Sequence, residues 1–566
     1  MAVFSVMPLF AQINTRPAIS IQPKIAPAAS LMKNTGIVAA PLSLQPDTAL
    51  SFTFVFQWDS YYVAAGEDAA ECSILVIPST WEGKPVRYIS NEAFRGLDTL
   101  EEVVLPDTIN MIGREAFKDC SSLVSINIPD GVNSIGAKAF QGCSQLRTIE
   151  LPWSCQIIPQ EAFSGCSSLE SISFSPQVRK IEASAFEGCE SLQEISLPAG
   201  LTEIPASMLA GCSSLTELEI PASVTAIGRF AFMDCFSLER LVLPAGITRI
   251  KEETFRGCSR LVSLSLPTGL RHLEDGAFRG FDAPIALTIP NGVTSIGREA
   301  FAECTGLESL TIPDSVGALG EYLCRGCSSL RAVTIGGTVA IPFRAFDGCD
   351  SLERVTLREG IRSIDDVAFQ NCRLLRVVNL PRTLTSIGNN AFENCSSLVS
   401  LVLPDLLESI GDWAFHSCSN LTSLQLPRQK NTSIGQQAFA LCGKLDNLVI
   451  PGNIWTVGEE AFFSCEGLRN LTISEGVRAI EQAAFKNSSI ANLVLPSTIL
   501  SVQNYAFSPC PNLKTITVRS IVPPNIGGSS LPPRWNLTWI KVPAGSLAAY
   551  TTKQNWDWYK TIISGF

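Results

Sequence analysis

Three sets of residues in this chain have types and spacings that invite chemistry: nineteen cysteines, two histidines and the acid pair of Glu217-Leu-Glu219. So many thiols raise the questions of disulfides, a metal cluster or a reactive nucleophile, and placement decides among them. Sixteen, from Cys120, Cys143 and Cys166 through to Cys510, stand three residues after one recurring aromatic slot; Cys72, Cys155 and Cys324 fill other apolar slots of the same pattern. Equivalent positions stacked at the ~4.8 Å spacing of paired strands lie slightly beyond the ~3.5–4.5 Å Cβ separation of a relaxed disulfide. The cysteines therefore read as a ladder of buried, inert thiols acting as small hydrophobes. A zinc site needs closer convergence and usually His partners, so no metal or cofactor is expected.

His272 and His416 stand about six repeats apart, or roughly 30 Å at strand spacing, too far to share a metal or a triad. Glu217 and Glu219 alternate outward on one strand about 6.5–7 Å apart, a separation compatible with paired-carboxylate glycoside hydrolysis. Nothing beside them in the sequence would raise one pKa or hold a sugar, so they read as solvated acids. No phosphate-binding or dinucleotide glycine fingerprint occurs in a strand-to-helix setting. The chain is read as non-enzymatic. Its net charge of −11, with no Lys/Arg-rich run, disfavours nucleic acid and anionic membrane as partners. Mean hydropathy is +0.22, yet no apolar stretch reaches the ~18 residues of a membrane-spanning helix.

The elements that position these residues come from a repeat. Phe94, Phe117, Phe140, Phe163 and Phe186 are each 23 residues apart, and the step continues to Phe507 with only Leu209 and Cys324 replacing the ring, nineteen positions in all. The steps from Cys324 to Phe346 and from Phe485 to Phe507 are 22 residues, and that from Phe415 to Phe439 is 24. A fixed period of this length means a solenoid, one coil per repeat. In Leu123 to Gln145, Ile126 and Ile128 alternate with Ser125 and Asn127 as a half-buried strand does. Pro129 ends that strand, and Asp130-Gly131 supplies a turn. A second short extended piece ends at Ile135-Gly136, and Ala137 to Cys143 reads as one helical or 3₁₀ turn.

The repeated pattern LxxLxLPxxLxxIGxxAFxxCxxL, seen as LVSINIPDGVNSIGAKAFQGCSQL and LTELEIPASVTAIGRFAFMDCFSL, resembles the BspA-like, or treponemal-type, leucine-rich repeat over about residues 72 to 518. The resemblance implies a leucine-rich repeat solenoid, α/β and β-rich, of about nineteen coils with a long parallel sheet. It also implies a large secreted or cell-surface protein of the kind several of whose members are described as adhesins.

Along the chain, residues 1–48 read as a disordered leader whose opening MAVFSVMPLFAQ is similar to the end of a truncated export signal. Residues 49–99 read as a hairpin cap and first coil, 100–518 as the repeats, and 519–566 as a closing cap carrying Trp535, Trp539, Trp556 and Trp558. Outward strand positions are acidic in the first third, at Glu150, Glu194, Glu217 and Glu219 beside Arg240, and mostly short and uncharged afterwards. That gradient marks a candidate face for a protein or other cell-surface macromolecule with a basic patch. Short polar side chains equally suit any exposed sheet. Asn420, Asn470 and Asn536 head Asn-x-Thr sites that matter only in a eukaryotic secretory pathway. Two other functions stay open: a protein-interaction scaffold in a reducing cytoplasm, which unpaired thiols also suit, and a carbohydrate-active enzyme.

Overall fold

In the coil from Leu215 to Leu238, Leu218 and Ile220 point inward from a strand whose Glu217 and Glu219 face water, and Val224, Ile227, Ala231, Phe232 and Cys235 complete the buried set. No other part of that coil can cover these side chains, so they are buried against the coils on either side. The computed structural model describes residues 52–66, 69–283, 287–337 and 340–566. The leader expected over residues 1–48 lies outside them. Within the described residues the chain winds as a β-rich solenoid whose one α-helix is Leu547–Thr552.

Most coils contribute two short strands. The first strands pair parallel and in register, Glu217 with Arg240, Leu218 with Leu241 and Glu219 with Val242, and Arg240 in turn with Ser263. The second strands stack on a separate face, Glu203 with Ala226 and Ile204 with Ile227. Between them the strand-ending proline opens a turn closed by Val224 N–H donating to Pro221 O at 3.0 Å. The first ladder is not one unbroken sheet. Thr148–Glu150 pairs with Ser171–Ser173 and the pairing then stops, to resume at Glu217–Glu219. Pairing is likewise interrupted after Ser125–Ile126, Ser263–Ser265, Val377–Asn379 and Asn470–Ile473. In the coil of Ser171–Ser173 a ring, Phe174, fills the second apolar slot of the strand and packs edge-on against Phe186 with centroids 5.8 Å apart.

The segment after the second strand is not the helical or 3₁₀ turn expected of it. It is a run of tight turns with left-handed residues at Phe230 (φ 59°) and Asp234 (φ 56°), a pair repeated coil after coil. Successive αR residues would send every N–H back along the same segment. Here the donors alternate instead. Met233 N–H and Cys235 N–H bond within the coil to Phe230 O and Phe232 O at 3.1 and 3.3 Å, whereas Phe230, Phe232 and Asp234 donate to Glu252, Thr254 and Arg256 of the next coil at 2.9, 3.1 and 2.7 Å. Non-glycine residues tolerate φ > 0 at a cost; the bond to the next coil offsets it. Close stacking also fixes glycines: a Cβ on Gly228 would lie 2.3 Å from Ala206 N.

The phenylalanines form one column. Phe117, Phe140 and Phe163 are stacked near-parallel with centroids 5.6 and 5.5 Å apart, and the column runs on from Phe346 to Phe507. Leu209 and Cys324 interrupt it, both fully buried. At one end the antiparallel hairpin Phe52–Gln57 and Ser60–Ala65 extends the second ladder onto Lys84–Ile89. At the other, Trp539–Val542 and Ile563–Gly565 extend the first ladder, with Tyr550, Trp556 and Tyr559 buried beside them.

Truncating one ring leaves a cavity lined by two more. Phe140→Ala should lower stability by about 3–5 kcal/mol, read from the midpoint of urea unfolding, and Phe140→Leu by distinctly less, since Leu209 fills the same slot. A loss for Phe140→Ala no larger than that of a surface substitution would contradict the column.

Candidate partner-binding site

The thiols are buried, and they also do more than fill space. In each of the sixteen ladder positions the Sγ–H donates to the carbonyl of the residue in the Phe slot one coil earlier, as Cys143 to Phe117 at 3.2 Å, Cys258 to Phe232 at 3.1 Å and Cys349 to Cys324 at 3.1 Å. The carbonyls of Phe117, Phe232 and Cys324 also accept the N–H of their own coil's cysteine, Cys120, Cys235 and Cys327, at 3.3, 3.3 and 3.1 Å, so both lone pairs are used there. All nineteen cysteines are free. Burial pushes the thiols of Cys166, Cys235 and Cys465 up to about 12. Where Cys324 replaces the ring, its thiol and that of Cys304 come within hydrogen-bonding reach of Cys327. Among the described residues no cluster of His, Cys, Asp or Glu is arranged to hold a metal ion.

The histidines lie apart, as their spacing predicts. His272 Nδ1 meets Ser295 Oγ at 2.8 Å. His416 Nδ1 meets Ser417 Oγ at 3.1 Å and Glu393 Oε1 at 3.8 Å. A hydrolytic triad needs the serine and the acid on opposite ring nitrogens; here both face the same one. Burial holds the His416 pKa below its usual value against the pull of Glu393.

Of the five residues the sequence singles out, the structure brings three together. Glu217, Glu219 and Arg240 line a depression of 560 Å³ on the first-strand face, with the side chain of Val242, 75% exposed, beside them. Glu217 and Arg240 are register partners, yet neither they nor Glu219 join any of the ion pairs that tie charges elsewhere. On the turn side, by contrast, Arg95 reaches Glu115 at 2.9 Å, Lys138 reaches Glu161 at 3.1 Å and Arg279 reaches Glu299 at 2.9 Å. Glu194 is exposed but lies in the break of the ladder, so its expected strand position is not formed. Glu150 faces outward on Thr148–Glu150, three coils from Glu219, or ~14 Å at strand spacing.

The second-strand face was not singled out from the sequence. Its floor is the Ser-Ile-Gly of successive coils, and its wall carries Asp366, Asn389 and Asp412, each of which accepts the backbone N–H one coil on: Asn389, Asp412 and Gln436 at 2.6, 2.8 and 2.7 Å. These acids and amides act as caps between coils. The recurring Asp or Asn one residue after the glycine, as in Gly388-Asn389 and Gly411-Asp412, was the signal available. A depression of 540 Å³ opens on this face beside Asn431 and Trp455.

Comparison with known proteins places these features in a context. The family profile described as BspA type Leucine rich repeat region (6 copies) matches residues 87–216, 179–286, 284–398, 339–451 and 432–547. Among solved structures, a leucine-rich repeat protein from Bacteroides ovatus is 26% identical over 76% of this chain and 100% of that one, with a TM-score of 0.50. A leucine rich cell surface protein from Faecalibacterium prausnitzii is 25% identical over 67% of this chain and 93% of that one, with a TM-score of 0.38. No curated protein matches the chain.

Thiols buried in a packed core should not react, because the reagent cannot reach them. At about pH 8, a thiolate-selective disulfide reagent such as Ellman's should modify at most Cys72, the one cysteine not fully buried, and all nineteen after unfolding in guanidinium. Rapid reaction of several thiols in the native protein would contradict the ladder.

Proposed function

This chain belongs to the BspA-type leucine-rich repeat family, and on that premise we propose that it is a non-enzymatic, secreted or cell-surface protein that captures a macromolecular partner on its first-strand face. The site is centred on Glu217, Glu219 and Arg240, with Glu194 and Glu150 on its flank. One observation carries the reading: three adjacent charges stand exposed beside an exposed valine with no intramolecular partner. Charges left unpaired on a rigid sheet keep their full field for an incoming surface and lose no ion pair on binding. The acid excess selects a partner with a basic patch, and Val242 supplies the apolar contact such an interface needs at its centre.

The extracellular placement rests on the family, whose members are typically secreted or surface proteins. No helix among the described residues is long and apolar enough to cross a membrane. Nineteen free cysteines favour a second reading, an intracellular interaction scaffold, because thiols persist in a reducing compartment. Recovery in the culture medium or on intact cells separates the two. Against hydrolysis at the acid pair, both carboxylates are solvent-exposed and neither is hydrogen-bonded to protein, so nothing distinguishes an acid from a base.

The test is capture from matrix and cell-surface extracts by the wild-type chain and by a Glu194→Lys, Glu217→Lys, Glu219→Lys variant, followed by affinity measurement with the captured partner. Charge reversal should weaken binding by about tenfold or more, and the wild-type affinity should fall with salt more steeply than that of the variant. Equal affinities and equal salt slopes would refute the acidic face.

A further inference from the structure

The single 24-residue step of the repeat, from Phe415 to Phe439, takes up its extra residue after Pro427, in Arg428-Gln429-Lys430-Asn431. The insertion is pinned. Thr432 Oγ1 donates to Leu407 O and Lys430 O, Asn453 Nδ2 from the next coil donates to Pro427 O and Lys430 O, and Lys430 pairs with Glu408 at 3.7 Å. It therefore stands as a fixed wall on the second-strand face.

A second departure from the repeat lies directly beside it. Where other coils carry Asn133, Gln156, Arg179 or Thr202, the next coil carries Trp455, and its side chain is 47% exposed. The Arg478 guanidinium covers the ring 4.9 Å from its centroid, and of the two residues Trp455 lines the depression and Arg478 does not. Asn431, Gln436, Trp455, Glu459 and Glu481 surround a 540 Å³ space over the Thr456 strand, a size that admits a small ligand. The amide groups of Asn431 and Gln436, the Trp455 indole N–H and the Glu481 carboxylate make no hydrogen bond within the protein. Glu459 Oε1 accepts one, from Gln482 Nε2 at 3.3 Å.

We propose that this depression binds a neutral oligosaccharide, one pyranose ring lying on Trp455 and its hydroxyls answered by Asn431, Gln436, Glu459 and Glu481. The chemistry of the lining selects the class. Two carboxylates repel an anion. An ammonium donates only, so it would leave the amide and indole N–H groups without acceptors, and Arg478 already holds a positive charge against the same indole ring. A hydroxyl both donates and accepts, which matches a lining of amides and carboxylates, and the C–H face of a pyranose matches an exposed aromatic plate. The site is on the opposite strand set from Glu217 and Arg240, and it holds or fails independently of the partner-binding face.

The test uses the full chain and an immobilised panel of cellohexaose, maltohexaose, mannohexaose, xylohexaose and chitohexaose, with a heparin-derived oligosaccharide and a lysine-rich peptide as charged probes. At least one neutral hexaose should bind, Trp455→Ala should weaken it about tenfold or more, and Glu481→Gln should weaken it by less. Deletion of Gln429, which restores the regular step, should weaken it as well, while Glu217→Lys leaves it unchanged. Trp455 and Glu481 are surface side chains, and unchanged thermal unfolding of both variants verifies the fold. Failure of every neutral hexaose to bind, binding by only the heparin fragment or the lysine peptide, or undiminished hexaose binding by Trp455→Ala would each overturn the proposal.

Discussion

The structure depends on one constraint: no coil can satisfy its own backbone. In the turn run every second N–H points along the solenoid, as Phe230, Phe232 and Asp234 do toward Glu252, Thr254 and Arg256. A buried donor without an acceptor costs about 1–3 kcal/mol, so each coil requires its neighbour at a fixed height and in a fixed register. The left-handed residues at Phe230 and Asp234 break up the run of αR residues that would turn every donor back along its own segment. The cysteine completes it. Its thiol supplies a second donor to the Phe-slot carbonyl of the coil before, a bond that alanine or valine in that place could not make. Ser488, the one hydroxyl in the ladder, turns its Oγ–H instead to Phe485 of its own coil at 2.8 Å.

Function follows from what such stacking leaves over. Among the described residues the interior is committed to the column of rings and thiols, and Cys72 alone of the cysteines is not fully buried. What varies from coil to coil is the outward side chain, and three faces carry it differently. The turn side is crossed by ion pairs such as Arg279 with Glu299. The second-strand wall is occupied by Asp366, Asn389 and Asp412 in capping the next coil. On the first-strand face, Glu217, Glu219 and Arg240 serve no structural purpose that the rest of the chain reveals. A repeat protein acquires specificity where it departs from its consensus, and the charged triplet and the Pro427 insertion are two such departures.

Much of this was legible in the sequence. The Phe step gave the coil count, the Ile and Leu alternation gave the first strand, the Ile-Gly pair gave the second, and the cysteine placement predicted free buried thiols. The turn run was not legible as such, because Glu115, Lys138, Ser184 and Phe230 occupy its first left-handed position and none of these residue types advertises φ > 0. Only the second position, with Gly142, Asn371 or Asp234, carried a compositional hint. The break at Glu194 escaped notice because nothing in its own strand residues is unusual. The depression at Trp455 was hidden for another reason. The 24-residue step and the tryptophan were each visible, but their meeting on one face depends on how adjacent coils align, which spacing along one chain does not show.

Hydrogen exchange of the amides in the turn runs tests the inter-coil bonding most directly. The account predicts that the N–H groups of the Phe-slot residues and of the residues two before and two after them, such as Phe230, Phe232 and Asp234, exchange as slowly as those of the paired strands all along the stack. Fast exchange throughout the turn runs, with protection confined to the strands, would contradict it.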